Sequence, residues 1–413
     1  MDVSKVVVLG HKDHGKSTLI GNLLISTKSV SRERINEAKA ASKRLKRKFE
    51  PGFLLDSFYE EQADGLTIDM TATELKYKGK AFEFIDVPGH EELIKNMLGG
   101  ASYAKLAVLV VSAKKGEGIR NQTKRHLFLA RMMGIDKVVV AVNKMDSIRY
   151  SEKMFNEIRS SLEEFLEKLG FENKSIAFVP ISAYKKDNLV IKSPNIRWYK
   201  GKTLMDAIDS YTKKENKHGK NKDLRMLIQG TVDENNSILI TGKVLLGKIM
   251  KGDSLVCLPS GASFSVKGIV VKGKSRNRAI AGENVAIRQD KIGANAIEKI
   301  RGEVACKSRE SKPKVSNIIK TLAFATEELN NKESVEIVIN GNKIKARLGL
   351  EKIIDPTSME EKKEESVKAL YAAYVSMKLE KDIAYENVNT LDSLGRMVIY
   401  KNGKFSGIGV IKD

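Results

Sequence analysis

The stretch Gly10-His11-Lys12-Asp13-His14-Gly15-Lys16-Ser17-Thr18 sets two glycines five residues apart and follows them at once with a lysine and two hydroxyls. Glycines at that spacing let the backbone curl until its amides converge on phosphate oxygens. The lysine can then neutralise charge on the terminal phosphates, and the first hydroxyl can ligate Mg²⁺. An apolar run, Val6 to Leu9, precedes the motif, and a helical pattern, Lys16 to Leu24, follows it. A phosphate cradle requires this strand-loop-helix setting, because the opening helix turns its positive end toward the anion. Gly10, His11, Asp13, His14, Gly15, Lys16, Ser17 and Thr18 are therefore the first candidate ligand-binding residues. The alternative is a tight glycine turn that holds nothing.

Two further motifs lie downstream in the same chain order. Asp86-Val87-Pro88-Gly89-His90 ends an apolar run, Phe82 to Val87. A carboxylate there can reach Mg²⁺ through water, and Gly89 frees an amide to meet a γ-phosphate. Asn143-Lys144-Met145-Asp146 follows the run Val138 to Val142. The Asp146 carboxylate can accept both the N1–H and the N2–H₂ of guanine, a pattern that adenine does not offer. By itself this short motif reads as a helix-capping turn; behind the other two it selects GTP and GDP. Ser182-Ala183-Tyr184, after the run Ile176 to Pro180, completes the base pocket through backbone contacts.

These loops need a scaffold that brings them to one place. In the first half, short β-branched runs (Val6 to Leu9, Phe82 to Val87, Ala107 to Val111, Val138 to Val142, Ile176 to Pro180) alternate with stretches of helical spacing (Glu91 to Leu98, Asn121 to Met133, Ser151 to Leu169). The alternation predicts a doubly wound, mainly parallel sheet, whose ligands bind at the carboxyl ends of the strands. Thr212 to Arg225 is polar, basic and aperiodic, and marks a linker. Beyond it, glycines at Gly242, Gly247, Gly252, Gly261, Gly268 and Gly273 punctuate short strand-like runs, the rhythm of a small β-barrel. A second β unit begins near Ser311, with hairpin signals at Asn340-Gly341 and Asn402-Gly403. The charged stretch Ser358 to Glu365 reads as a solvated excursion. The expected fold class is thus an α/β P-loop domain over residues 1–212 followed by two small antiparallel β-barrel domains, 224–310 and 311–413.

Composition bounds the rest. With 413 residues, 41% hydrophobic and 30% charged, the chain can bury several cores. The 73 lysines and arginines against 52 acidic residues give a net charge of +21, which suits an RNA contact, although a lysine-rich proteome gives the same excess. Its local counterpart, the basic run Ser42 to Lys48, reads as a solvated helix face. Two cysteines, Cys257 and Cys306, are too few for a disulfide framework or a four-thiolate zinc site, and they read as small buried hydrophobes. No run approaches the roughly 18 apolar residues that span a bilayer, and the start lacks a signal-peptide core, so the expectation is a cytoplasmic protein with no membrane contact.

These motifs, together with NMLGGAS, QTKRHLFLARMMGIDKVVVAVNKMD and FVPISA, resemble the translation-factor class of GTPases, the group containing elongation factor Tu and elongation factor 1-alpha. DSLVCLPSG and GRMVIYKNGK echo that group's two β-barrels. The resemblance implies that Gly65-Leu66-Thr67-Ile68 is the first switch, with Thr67 joining Ser17 and Asp86 around Mg²⁺ when γ-phosphate is present. It likewise implies that His90 orients the attacking water, so that His90, Lys16 and Thr67 form the catalytic set. Three departures stand out: Lys12 replaces a commonly aliphatic residue, Asp64 replaces a basic one, and no histidine occurs beyond His218.

Two branches of the class compete. The insert KSVSRERINEAKAASKRLKRKFEPGFLLDSFYEEQADGLTID, with QTKRH, RYSEKMFNEI and EKIIDPTSME, is similar to the GTPase subunit of sulfate adenylyltransferase, which implies a sulfurylase-like catalytic subunit as partner. Asp13-His14 and the net charge are closer to the elongation factors, which implies aminoacyl-tRNA and the ribosome. A specialised ribosome-associated paralogue is a third reading. Ordered local patterns outweigh net charge, which places the sulfate branch slightly ahead.

Overall fold

Strands β1 (Val3–Gly10), β4 (Leu106–Ser112) and β5 (Lys137–Asn143) carry runs of valine, leucine and alanine that are buried from Val6 onward in β1 and along nearly the whole length of β4 and β5. Strands apolar on both faces belong inside a sheet covered on both sides. With β2 (Ala72–Tyr77), β3 (Lys80–Asp86) and β6 (Ile176–Pro180) they form a six-stranded sheet in the order β2-β3-β1-β4-β5-β6. Every pair is parallel except β2 with β3. The computed structural model describes residues 3–44, 49–55, 72–86, 104–212, 223–234, 237–290 and 299–412. Thr67, Gly89, His90, Asp64 and the expected helix Glu91 to Leu98 lie outside the described residues, as do positions 45–48 of the basic run.

Among the described residues, the expected strands of the first half and the helices Asn121 to Met133 and Ser151 to Leu169 recur with ends moved by a few residues. Helix α1 (Lys16–Ser26) starts at the predicted residue, and its apolar positions Leu19, Ile20, Leu23 and Leu24 pack on the sheet with Phe82, Phe84 and Val108. Among the described residues, β2 and the helix that starts at Leu204 had no counterpart in the sequence pattern, and of α2 (Arg32–Arg44) only its end, from Ser42, was read as a helix face. In chain order the further α-helices among the described residues are α3 (Asn121–Met132), α4 (Glu152–Lys168) and α5 (Leu204–Thr212). The α4 helix buries Phe155, Leu162, Phe165 and Leu166 on one face, and its Ser151 cap accepts from the Met154 amide at 3.4 Å.

By contact density the chain divides into one unit of Met1–Lys214 with Pro356–Met359 and another of Glu215–Asp355 with Glu360–Asp413. The second unit is antiparallel throughout its two large sheets, and each closes on itself. One ring runs Ser254–Leu258, Val304–Lys307, Arg225–Glu234, Ser237–Leu246, Asn284–Gln289, Ser263–Val271 and back to the first strand. The other runs Ser334–Ile339, Arg396–Lys401, Lys404–Ile411, Lys314–Ala325, Ala372–Tyr385, Asn342–Ile354 and back. Closure removes the unpaired edges that an open sheet of this size would expose. Asn340-Gly341 and Asn402-Gly403 form the turns as expected, with positive φ at all four residues. Cys257 and Cys306 are buried free thiols.

The two rings share a small apolar cluster in which Val304 meets Ala384, Leu391 and Leu394. At its edge the Arg225 guanidinium pairs with Glu386 at 2.7 Å and donates to the carbonyls of Leu224 and Ser311, each at 3.0 Å. Arg225 is 5% exposed, so its charge is satisfied from within the protein.

Candidate functional site

Gly10, Asp86, Asn143 and Pro180 are the last residues of β1, β3, β5 and β6, so the parallel sheet delivers four chain ends to one rim. The register confirms the placement. Val8 lies opposite Asp86, Gly10 opposite Val110, and Ser112 opposite Asn143. After β1 the chain makes a single 3-10 turn, Lys12–His14, passes through Gly15 at φ 90°, and enters α1 at Lys16. Only glycine serves at Gly15. Its conformation is left-handed, and a β-carbon would stand 2.6 Å from Asn143 Nδ2.

Lys16 lies over this loop. It is 5% exposed, and its ammonium donates to the carbonyls of Gly10 at 3.1 Å and His11 at 3.4 Å. Burial lowers its pKa, while the nearby carboxylates of Asp86 and Asp13 pull the other way. A buried cation resting on carbonyls at the mouth of a helix is a ready acceptor site for an anion. Ser17 is exposed on the first turn of α1, with Thr18 half-buried behind it. Lys12 and Asp13 face solvent.

His11 and His14 part company. His11 is half-buried and donates from Nδ1 to Gln122 Oε1. His14 is buried, its Nδ1 is 3.3 Å from the Val110 carbonyl, and burial pushes its pKa down to about 4 against the pull of that carbonyl. The side chain of His14 is thus a neutral packing element of the loop. The two rings meet edge to face at 5.4 Å.

Asn143 ties the rim together. Its Nδ2 donates to the His14 carbonyl at 2.8 Å, and its Oδ1 accepts the Ala183 amide at 2.8 Å. The loop after β1, the end of β5 and the loop after β6 are therefore joined through one side chain. Asn22, buried on α1, adds a bond from Nδ2 to the Ala183 carbonyl at 2.7 Å. Asp146 stands half-buried in the 3-10 turn Met145–Ile148, directly after Lys144, which adopts φ 62°. The Lys144 ammonium meets Glu117 at 2.7 Å. Burial pushes the Glu117 carboxyl up, but bonds from Lys144, Ser112 and Lys114 outweigh it and hold the group down at about 2. Ser182 and Ala183 are buried, and the Tyr184 side chain is half exposed.

The described members of the three motifs thus converge, and the sequence reading missed several residues that hold them. Asn22 is a lone amide inside an apolar helix, and Gln122 opens α3; neither carries a spacing signal. Glu117 could have been suspected from Gly116-Glu117-Gly118, a glycine-flanked acid in a strand-to-helix loop.

The family model for the elongation factor Tu GTP binding domain matches residues 1–214, and that for the GTP-eEF1A C-terminal domain-like family matches residues 305–412. Elongation factor 1-alpha of Thermoplasma acidophilum is 34% identical over 99% of this chain and 97% of its own length. The protein of the same description from Hyperthermus butylicus is 35% identical over 99% of this chain and 95% of its own. These full-length likenesses favour the elongation-factor branch, and the sulfate adenylyltransferase reading gains nothing from them. The chain belongs to the elongation factor Tu and elongation factor 1-alpha class of translation-factor GTPases.

Proposed function

We propose that this protein is a guanine-nucleotide switch that, in its GTP state, binds aminoacyl-tRNA and releases it at the ribosome. The observation that carries the nucleotide half is the junction at Asn143, where one side chain holds the phosphate loop and the base loop at a fixed separation. The full-length likeness to elongation factor 1-alpha supports the cargo half, and a net charge of +21 suits a polyanion. The division into domains 1–212, 224–310 and 311–413, and a cytoplasmic location, are part of the same reading.

In this reading the amides of the Gly10 to Ser17 loop and the start of α1 hold the phosphates, and the Lys16 ammonium leaves the Gly10 and His11 carbonyls for the β- and γ-oxygens. Asp146 reads the guanine edge, and the Ala183 and Tyr184 backbone closes the pocket. A hydroxyl and a carboxylate are the hard oxygen donors that Mg²⁺ takes, and Ser17 and Asp86 fit that requirement at the same rim, with Thr67 as a third donor. When bound, the ion neutralises charge on the phosphates. His90 would position the attacking water and Gly89 would offer its amide to the terminal phosphate. The chemistry is positioning and electrostatics, with no covalent intermediate on the protein.

Affinity purification from the native host tests the cargo. Charged tRNA or ribosomes recovered in a GTP-dependent, salt-sensitive manner support the proposal. A sulfurylase-like subunit recovered instead overturns it.

A further inference from the structure

The walls of the base pocket are joined a second time, outside the pocket, by residues that no motif includes. After Asp146 the backbone is left-handed at Arg149 (φ 50°) and again at Tyr150 (φ 57°). Consecutive left-handed residues other than glycine are strained, so the surroundings must hold them. They are held from three sides. The Tyr150 amide donates to the Met145 carbonyl at 2.8 Å, Trp198 Nε1 donates to the Tyr150 carbonyl at 2.9 Å, and the Tyr150 hydroxyl donates to Asp187 Oδ2 at 2.7 Å.

Asp187 is the post on which the other wall turns. Its amide donates to the Ser182 carbonyl at 3.0 Å and its carbonyl accepts the Ser182 amide at 3.3 Å, which closes the loop carrying Ala183 and Tyr184. Its second carboxylate oxygen accepts from Ser193 Oγ at 2.5 Å and from Asn195 Nδ2 at 3.3 Å. Asp187 is 8% exposed, so the Tyr150 bond is partly shielded from water and correspondingly strong. Burial and the Asp187 carboxylate also push the Tyr150 phenol up to about 12, so it remains a donor at any working pH.

We infer that Tyr150 and Asp187 are positioning residues that latch the Asp146 turn to the Ser182–Tyr184 loop and thereby set how long a guanine nucleotide stays bound. The inference rests on the base-pocket reading above. A nucleotide leaves when the two walls part, and this bond spans them without touching the ligand. Its loss therefore raises the dissociation rate of GDP while leaving the cleavage step at the phosphate end unaltered.

The test uses the full-length protein loaded with N-methylanthraniloyl-GDP, with release followed in stopped flow. Tyr150→Phe removes only the hydroxyl. Loss of one bond to a charged acceptor predicts release about tenfold faster. Asp187→Asn replaces one accepting oxygen by a donor, which disrupts either the phenol bond or the bonds from Ser193 and Asn195, and it speeds release at least as much. Single-turnover GTP cleavage at saturating nucleotide stays within about twofold of the parent for both, a split that a general loss of structure would not produce. Release by Tyr150→Phe within about twofold of the parent overturns the latch, and so does slowed cleavage that accompanies faster release. Asp146→Asn is the control for the underlying reading: it exchanges guanine for xanthine preference by pairing complementarity. If that switch is absent, the base-pocket assignment itself fails. If it is present while Tyr150→Phe is silent, the latch alone fails.

Discussion

In the first unit, left-handed backbone outside glycine gathers at one rim of the sheet, at Lys144, Arg149, Tyr150, Lys186 and Asn188 in the loops after β5 and β6, while Lys28, Lys78 and Met359 adopt it elsewhere. In the second unit Lys272, Asn340 and Asn402 are each followed by a glycine that completes a two-residue hairpin, as Lys78-Gly79 does between β2 and β3, and Lys332 and Leu370 adopt it in other turns. Buried polar groups divide in the same way. Asn22, Asn143 and Asp187 bond across the rim to a loop distant in sequence and Lys16 closes its own loop, whereas Arg225 and Glu303 fasten strands or barrels to each other. In the first unit costly conformations and buried polar side chains thus concentrate at one rim of the sheet, whereas in the second they serve turns and strand junctions. The lesson is that strain marks a site when the strained residues also bond across different loops.

The largest expected effect breaks chemistry and leaves structure alone. His90→Ala should slow single-turnover GTP hydrolysis by about 10²–10⁴-fold while leaving GTP affinity unchanged; an unaltered rate removes His90 from the reaction. The converse lies in the second unit. Arg225→Ala strands Glu386 at the barrel junction and should cost about 3–5 kcal/mol in urea unfolding of that unit. GDP affinity should stay within about twofold, and a parallel loss of nucleotide binding would erase the distinction between the units.

A smaller effect comes from His14. Its folded pKa is depressed to about 4 from 6.5, so the unfolded chain binds the proton more readily between those values. Its contribution to stability is therefore complete above about pH 6.5 and is lost as pH falls toward 4, by roughly 3 kcal/mol in all. His14 lies within Met1–Lys214, so this loss belongs to the first unit. Unfolding of the parent and of His14→Asn, compared at pH 7 and pH 4.5, should show the additional acid sensitivity in the parent alone.

Much of this was legible in the sequence, for reasons that differ by element. Buried parallel strands announce themselves as valine runs, and Gly15 and Gly341 follow from backbone geometry that other residues resist. The β2 strand escaped because ATELKY alternates and pairs antiparallel at the sheet's edge, outside the βα rhythm. The α2 helix escaped because its sequence is almost wholly charged and polar, which leaves little apolar period to read. Within the proposed site, the residues assigned to the ligand come from motifs, whereas the side chains that hold their loops carry no motif. Asn22, Glu117 and Asp187 act through pairings with carbonyls, amides and side chains distant in sequence, and no local pattern encodes those. His14 shows the same limit: the motif located it, but only the fold shows that its ring is buried and neutral. The sulfate-branch expectation rested on the insert and short third-domain patterns, and likeness over the whole chain outweighs them.

Calorimetric titration of the intact protein with GTP, GDP and ATP in the presence of Mg²⁺ examines the convergence of these loops most directly. The account predicts saturable binding of both guanine nucleotides with a stoichiometry of one, and no comparable heat with ATP. Equal affinity for ATP, or no heat with GTP, would contradict it.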